Sequence, residues 1–513
     1  MSSICNFSNN GTAKPSCPAK DFGGGVYNST TSRTSNTTAI LVTDKGNISL
    51  GYGAGSLLNI TGSSRLMMDR LVIGDGPLLQ QVIGSTSINR IDEATQVLPG
   101  GGQYDLQVSF LSMGASDSVQ VFGTPGVRQI NATIPVNQLV LDGATGSRSW
   151  GMHVGSAQLK QPGSLIIGGY DRSRVASDPA TFDIKAGGDL EVVLQNITFG
   201  VMQGASPWGS TPQGNLLVSD AITTASTTDT QISTILTAVS PYLYLPQNTC
   251  SEIAKSLPLT FAPSFGLYLW NTNDPKFSLI VNSTAYIQFG FSYRGGQYPV
   301  KIPMKLLALQ LVPPFPVTSM TTYFPCRPVT GASPAYFLGR SFLQGAFLGL
   351  SWSTNKFWLA QATGPAMSTS DIYDINPDDS TIIAMANVDW AASWNGVLTV
   401  DKTGASDSGN TPDPTGGSSK GGSSTGGIVG GVIGGLAVLL IVAAAVFFVL
   451  RRRKRNSTTM EQSESSVEMT AKQPLQAGSI GSIPVEADNY AYNPPHSPVE
   501  LDGGNFRDRA RYS

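Results

Sequence analysis

Histidine and charged side chains are scarce in this sequence. Charged residues make up only 13% of the chain, and its two histidines are His153 and His496. The net charge of −2 offers no basic surface of the kind that nucleic acid requires, so we expect no nucleic-acid partner.

A zinc site is disfavoured, because the spacings of the four cysteines do not match a zinc ligand set and His153 is the one histidine before residue 428. A Ser-His-Asp site would depend wholly on His153, for which a structural role is the simpler interpretation. We predict no metal and no cofactor.

The N-terminus lacks the apolar run of a secretory signal peptide, since it reads MSSICNFSNNGTAKPSC. An apolar run occurs instead at residues 428–450, which are 23 residues without a charge or a proline. A helix of that length spans about 35 Å, enough to cross a hydrocarbon core of about 30 Å. A buried core helix is the alternative interpretation. Because translocation of the preceding residues normally needs a signal peptide, we expect the true N-terminus to lie upstream.

A basic cluster follows the apolar run directly, from Arg451 to Arg455. Such clusters normally stay in the cytoplasm, although a nuclear localisation signal is a distant alternative. We therefore predict a type I single-pass protein of the plasma membrane, with residues 1–427 outside and 451–513 inside. Gly427, Gly431 and Gly435 have the spacing that packs membrane helices closely, so a helix dimer is a further hypothesis.

Residues 1–427 have the features of a secreted glycoprotein. All four cysteines lie there, and four cysteines allow three pairings. We predict the pairs Cys5–Cys17 and Cys250–Cys326, since an even number in an oxidising compartment favours disulfides. The same region carries Asn-x-Ser/Thr sequons, which predict N-glycosylation. The sequon asparagines are Asn6, Asn10, Asn28, Asn36, Asn47, Asn59, Asn131, Asn196 and Asn282.

Short apolar or alternating runs between Gly, Pro and Asn fill the region from Ile48 to about Ala362. They are typical of an all-β fold, and they predict strands at 66–75, 163–171, 190–200, 277–290 and 345–352. Helical periodicity is scarce, with one clear segment at 250–257 and shorter candidates at 216–222 and 232–236. Beyond the strands we expect an extension packed on the domain, a low-complexity stalk and a disordered tail.

Three segments carry a resemblance to a known family, in that family's order. GSLIIGGYDRSRV (163–175) resembles the GSLxFGGYDxSKY stretch of pepsin-like aspartic proteases (peptidase A1 type). Residues 333–362 resemble the second-lobe stretch with its hydrophobic-hydrophobic-Gly element, and 48–75 resemble the flap hairpin with Tyr52-Gly53 at its tip. The resemblance covers about residues 5–363 and includes membrane-anchored, fungal-type members. It implies a bilobal all-β fold with a cleft between the lobes.

The domain organisation follows from this resemblance and from the composition. The predicted segments are an N-terminal lobe lacking its first strands (1–200), a C-terminal lobe (201–363), the packed extension (364–401), the stalk (402–427), the membrane helix (428–450) and the cytoplasmic tail (451–513).

The catalytic residues of the family are where this sequence departs from it. The family needs two carboxylates sharing one proton, each from an Asp-Thr/Ser-Gly turn, one per lobe. Counted back from Leu245-Pro246, the second aspartate position holds Thr237 and the glycine position holds Val239. Ser240 keeps the expected hydroxyl. By the resemblance the first-lobe aspartate falls upstream of Met1. Whether the protein is an enzyme is therefore left open.

Three functions compete at this point. The first is an inactive pepsin-like surface protein that binds peptide or cell-wall polysaccharide in its cleft. The second is an active membrane-anchored aspartic endopeptidase whose second aspartate lies elsewhere. The third is a surface sensor or adhesion protein that uses the fold as a scaffold. Fold alone does not decide among them.

Overall fold

The computed structural model describes residues 29–35, 47–49, 59–73, 81–105, 111–124, 128–220, 231–312, 315–330, 335–367 and 369–400. All of them belong to the first of the two units into which the chain divides, Met1–Asn410. Several predicted features lie outside the described residues. They are the pair Cys5–Cys17, the sequons Asn6, Asn10, Asn28 and Asn36, the flap residues Tyr52 and Gly53, the stalk, the apolar run with its glycines, and the tail. Within the described residues no helix combines the length and apolar character needed to cross a bilayer.

The fold is mostly β, as predicted. The strands of the first half are β1 (Asn47–Ser49), β2 (Ile60–Ile73), β3 (Gln81–Val97), β4 (Gln103–Asp105), β5 (Val119–Thr124), β6 (Arg128–Thr133), β7 (Ser149–His153), β8 (Ser164–Ile167), β9 (Gly169–Asp171), β10 (Ala180–Asp183) and β11 (Glu191–Val201). Those of the second half are β12 (Ile232–Leu236), β13 (Leu243–Pro246), β14 (Leu259–Ala262), β15 (Leu267–Trp270), β16 (Ala285–Tyr293), β17 (Gly296–Pro303), β18 (Leu309–Leu311), β19 (Thr321–Phe324), β20 (Cys326–Val329), β21 (Tyr336–Leu338), β22 (Ala346–Ser351), β23 (Lys356–Gln361) and β24 (Ile372–Asp374).

The α-helices of the described residues are short. They are α1 (Pro135–Leu141), α2 (Gln247–Lys255), α3 (Pro275–Asn282) and α4 (Arg340–Leu343). Helix α2 agrees with the prediction at 250–257, and 232–236 is strand β12 rather than a helix. Residues 277–282 were predicted as strand but are helical, because Asp274 caps the Lys276 amide and Pro275 occupies the first turn. Residues 216–220 form neither a helix nor a strand.

Two sheets organise the core. A seven-stranded sheet has the order β17-β16-β11-β12-β21-β13-β20, and a five-stranded sheet has the order β10-β23-β22-β7-β8. Strand β16 shows why these segments form strands, since Ala285, Ile287, Phe289 and Phe291 alternate along it and are all buried. Strand β22 is buried along its whole length. One apolar cluster contains side chains from both sheets, so the two sheets share a core.

The five-stranded sheet joins the two halves of the chain. Strands β22 and β23 come from the predicted C-terminal lobe, whereas β7, β8 and β10 come from the predicted N-terminal lobe. The chain after β23 also returns to the domain. Strand β24 pairs with β9, and Trp394 is buried in the common core. Trp390 donates its ring N–H to the carbonyl oxygen of Ala362, at 3.1 Å.

The predicted disulfide between Cys250 and Cys326 is present and joins α2 to the strand β20. The described sequons differ in accessibility. Asn59, Asn131 and Asn282 are exposed, whereas Asn196 lies within β11 with its amide oxygen buried. Of these four sequons, Asn196 is therefore the least accessible, and the side chain of Asn47 lies outside the described residues.

Candidate functional site

The turn after β12 holds the position that the family resemblance assigns to the second aspartate. Strand β21 lies between β12 and β13, parallel to the first and antiparallel to the second. The Thr237 amide donates to the Leu338 carbonyl at 3.1 Å, and the Val239 amide donates to the Thr237 hydroxyl at 3.3 Å. The hydroxyl therefore stabilises its own turn. Because a threonine hydroxyl does not ionise between acidic and neutral pH, it cannot replace a carboxyl group.

Gly339, in the hydrophobic-hydrophobic-Gly element, packs directly on this turn. A Cβ atom at Gly339 would lie 2.3 Å from the Ser240 carbonyl oxygen and 2.5 Å from that of Tyr242. Only glycine allows such a close approach between two backbone segments. The Gly339 amide donates to the Tyr242 carbonyl at 3.0 Å, and the Arg340 amide to the Ser240 carbonyl at 2.7 Å. The two segments that the sequence singled out are thus in contact.

Arg340 adds a positive charge to the turn. Its Nη1 donates to the carbonyl oxygens of Ala238 and Val239, at 2.7 Å each. The titratable groups that act on it most strongly are four tyrosines, Tyr104, Tyr242, Tyr244 and Tyr323, rather than carboxylates. A guanidinium remains charged throughout the physiological range. The charge fixed at this turn is therefore positive, whereas the family that the sequence resembles has an acid at the corresponding position.

These four tyrosines form an aromatic cluster beside the turn. The ring centroids of Tyr242 lie 5.9 Å from Tyr244 and 6.0 Å from Tyr323. Burial raises the pKa of Tyr104 to about 12 and that of Tyr242 well above its usual value. Burial also raises the pKa of Tyr244 and Tyr323. All four hydroxyls stay protonated at neutral and acidic pH, so the cluster can donate hydrogen bonds but cannot act as a base.

The other predicted residues of the site contribute little chemistry. Ser240 keeps its hydroxyl but is 1% exposed, so a ligand in a cleft does not reach it. Thr237 is half-buried at the turn. The described residues contain no group of three or more His, Cys, Asp or Glu side chains that could hold a metal ion. Tyr52 and Gly53 remain predictions, because they lie outside the described residues.

His153 is a buried structural residue in this fold. It is 1% exposed, and its Nε2 lies 2.8 Å from the Gln344 carbonyl oxygen. Burial lowers its pKa from 6.5 to about 4. A neutral, buried imidazole of this kind is not a catalytic base for an accessible serine, which agrees with the structural role expected from the sequence.

We expect His153 to make the protein less stable in acid. Its folded pKa of about 4 lies below the unfolded value of 6.5, so the unfolded chain binds the extra proton between these values. The free energy of unfolding is therefore greatest above pH 6.5 and should fall by about 3 kcal/mol as the pH drops towards 4. Urea unfolding at a series of pH values measures this.

His153→Gln should remove that pH dependence, because glutamine keeps a polar group without a titrating one. His496→Gln is the matched control and should leave it unchanged, since this histidine is in the tail. A wild-type stability that does not change between pH 7 and pH 4 would contradict the buried neutral imidazole.

Two arginines of this region were not singled out by the sequence. Arg340 follows the hydrophobic-hydrophobic-Gly element directly, and Arg327 follows Cys326. Charged residues next to such apolar elements are a usable signal in a chain with so few charges. What they contact, however, is set by residues distant in the sequence.

Comparison with known proteins finds no family model that matches this chain and no similar curated protein. The geometry of the turn, of Arg340 and of the tyrosine cluster is therefore the basis for assigning a function.

Proposed function

We propose that this protein is a single-pass cell-surface glycoprotein whose ectodomain has the bilobal pepsin-like fold but no aspartic-peptidase activity. In this proposal the ectodomain binds peptide or cell-wall material in its cleft. The observation that carries the loss of activity is the turn at Thr237, where Arg340 donates to the carbonyl oxygens of Ala238 and Val239. This turn holds a threonine and a guanidinium, whereas the aspartic mechanism needs a carboxylate there that shares a proton with a second carboxylate.

Three features of the fold support the pepsin-like part of the proposal. Two β-rich halves of the chain contribute strands to one five-stranded sheet. The segments that resemble the family's second-lobe motifs meet at one turn, with Gly339 against Ser240. The disulfide Cys250–Cys326 lies within the predicted second lobe. The lobes 1–200 and 201–363 remain the proposed division.

A peptidase assay on the full-length chain tests the catalytic half of the proposal. We expect no pepstatin-sensitive cleavage. Such cleavage by the unmutated protein would instead favour the active endopeptidase.

The surface location rests on the sequence. The apolar run 428–450 with its basic flank supports a membrane helix with the C-terminus inside. The sequons Asn59, Asn131 and Asn282 support a glycosylated ectodomain, since all three are exposed. Because the stalk 402–427 is rich in Gly, Ser and Thr, it would hold the ectodomain away from the bilayer.

We expect protease treatment of intact cells to release a glycosylated fragment of about 400 residues, cut in the stalk where small polar residues favour cleavage. Immunoblotting of the medium with an ectodomain antibody measures the release, and glycosidase treatment should reduce the apparent mass of the fragment. A tag fused to the C-terminus should be protected until the cells are permeabilised. A tag accessible on intact cells would overturn the topology.

A further inference from the structure

A cavity of about 700 Å³ opens at the second half of the domain. It lies between helix α2, the hairpin of β14 and β15, and strand β20. Both β14 and β20 are edge strands of their sheets. The disulfide Cys250–Cys326 ties α2 to β20. The cavity is thus built on elements held together by a covalent bond.

Arg327 lines this cavity and is unusually placed for an arginine. It is 9% exposed, and its guanidinium carbon lies 5.4 Å from the ring centre of Tyr242 and 5.9 Å from that of Tyr244. Among the described residues, its Nη1 is buried and has no hydrogen-bond partner. The faces of the tyrosine rings attract the guanidinium and offset part of the free energy that its burial costs. They do not accept hydrogen bonds in the plane of the guanidinium, where its N–H groups point.

Among the described residues that line the cavity, one cation has no acidic partner. Lys255 also lines the cavity but already pairs with Glu252, at 2.5 Å. At the start of α2 the amides of Gln247 and Asn248 donate to the Asp220 carboxylate, at 2.8 Å each, so these two donors are occupied. Arg327 remains. One unmatched positive charge is complementary to a monoanion, and a planar guanidinium is complementary to a carboxylate.

The remaining wall combines two aromatic side chains and three prolines with the polar residues Gln247, Ser251 and Thr330. Phe261 is 42% exposed at the cavity, and its ring centre lies 5.0 Å from that of Tyr268. Pro99 and Pro328 also line the cavity. The two rings and the prolines offer apolar surface on which a side chain beside the anionic group can pack.

We propose that this cavity binds the carboxylate of an acidic residue in a peptide, flanked by an apolar residue. The carboxylate takes the free donors of Arg327, and the neighbouring apolar side chain packs on Phe261 and Tyr268. The inference goes beyond the proposed function, because it names a ligand class and a site that do not involve Thr237. A peptidase assay and a binding measurement at Arg327 can therefore fail independently.

Two capped pentapeptides test the proposal on the full-length chain in non-ionic detergent. One carries a central glutamate between phenylalanines, and the other carries glutamine in its place. We expect the glutamate peptide to bind about 10- to 100-fold more tightly, as charged hydrogen bonds imply. Arg327→Met should abolish that difference, whereas Lys276→Met should retain it, because Lys276 is an exposed lysine that does not line the cavity. Calorimetry measures the affinities, and circular dichroism checks that each variant folds.

Equal affinities for the two peptides in the wild type would overturn the proposal, and so would a difference that survives in folded Arg327→Met. Stronger competition by inorganic phosphate than by acetate would overturn the assignment of a carboxylate. Tighter binding of an oligogalacturonate than of the glutamate peptide would overturn the assignment of a peptide. If Arg327→Met does not fold, the wild-type comparison still decides, and Phe261→Ser should weaken both peptides to a similar degree.

Discussion

We expect the full-length protein to hydrolyse no peptide by the aspartic mechanism, and Thr237→Asp to leave it inactive. Among the described residues, the titratable groups that act most strongly beside this turn, on Arg340, are tyrosines. The described part of the chain therefore offers a carboxylate at position 237 no acidic partner with which to share a proton and raise its pKa. The nearby Arg340 charge, held on the carbonyl oxygens of Ala238 and Val239, would instead favour the ionised form. An ionised carboxylate cannot protonate a substrate carbonyl.

Loss of general acid–base assistance costs roughly 10²–10⁴-fold in rate per positioned group, which places the expected activity at background. A mixed peptide library, assayed from about pH 3 to 7 with and without pepstatin, measures it over the range in which aspartic dyads work. Thr237→Asn is the matched control, because it has nearly the shape of aspartate without its charge. Each assay needs a folding check in acid, since His153 is expected to weaken the fold there.

Pepstatin-sensitive cleavage by the wild type would overturn the proposed function. Activity in Thr237→Asp alone would show that a second carboxylate is already in place.

The second large effect is expected from removing the disulfide. Cys250 and Cys326 are buried and are separated by 76 residues. In the chain-entropy model, a disulfide that closes a loop of that length raises the free energy of the unfolded chain by about 4.5 kcal/mol. Removal of a native disulfide typically lowers the measured free energy of unfolding by about 2–5 kcal/mol. We expect Cys250→Ala with Cys326→Ala to lower the free energy of unfolding by an amount in this range. Urea unfolding at neutral pH measures it.

The same double variant should also affect the cavity at Arg327. Strand β20 carries both Cys326 and Arg327, and the disulfide holds it against α2. Replacement of Cys5 and Cys17 by alanine is the control, because their predicted bridge closes a much shorter loop and should stabilise less. If the free energy of unfolding of the double variant at Cys250 and Cys326 is within about 1 kcal/mol of the wild-type value, the result would contradict a stabilising role for this bridge.

The sequence by itself determined the predominantly β character of this protein. Short apolar runs between turn residues are a local signal, and segments such as 163–171 and 190–200 overlap the strands β8, β9 and β11 almost completely. Helix α2 and the bridge Cys250–Cys326 were also predicted. The error at 277–282 is local too, since the cap formed by Asp274 and Pro275 outweighs an apolar run that resembles a strand.

The absence of a carboxylate from the position of Thr237 was likewise readable from the sequence alone. The charge that occupies the turn was not, because Arg340 lies about a hundred residues from Ala238 and Val239 and reaches them only after β21 inserts between β12 and β13. The unmatched Arg327 depends in the same way on Tyr242 and Tyr244, which belong to a different strand. Local patterns predict which residues form strands, but which groups contact a charged side chain depends on which strands are neighbours in the sheet. In this protein the arrangement of strands is a tertiary property, and it places two arginines beside four tyrosines.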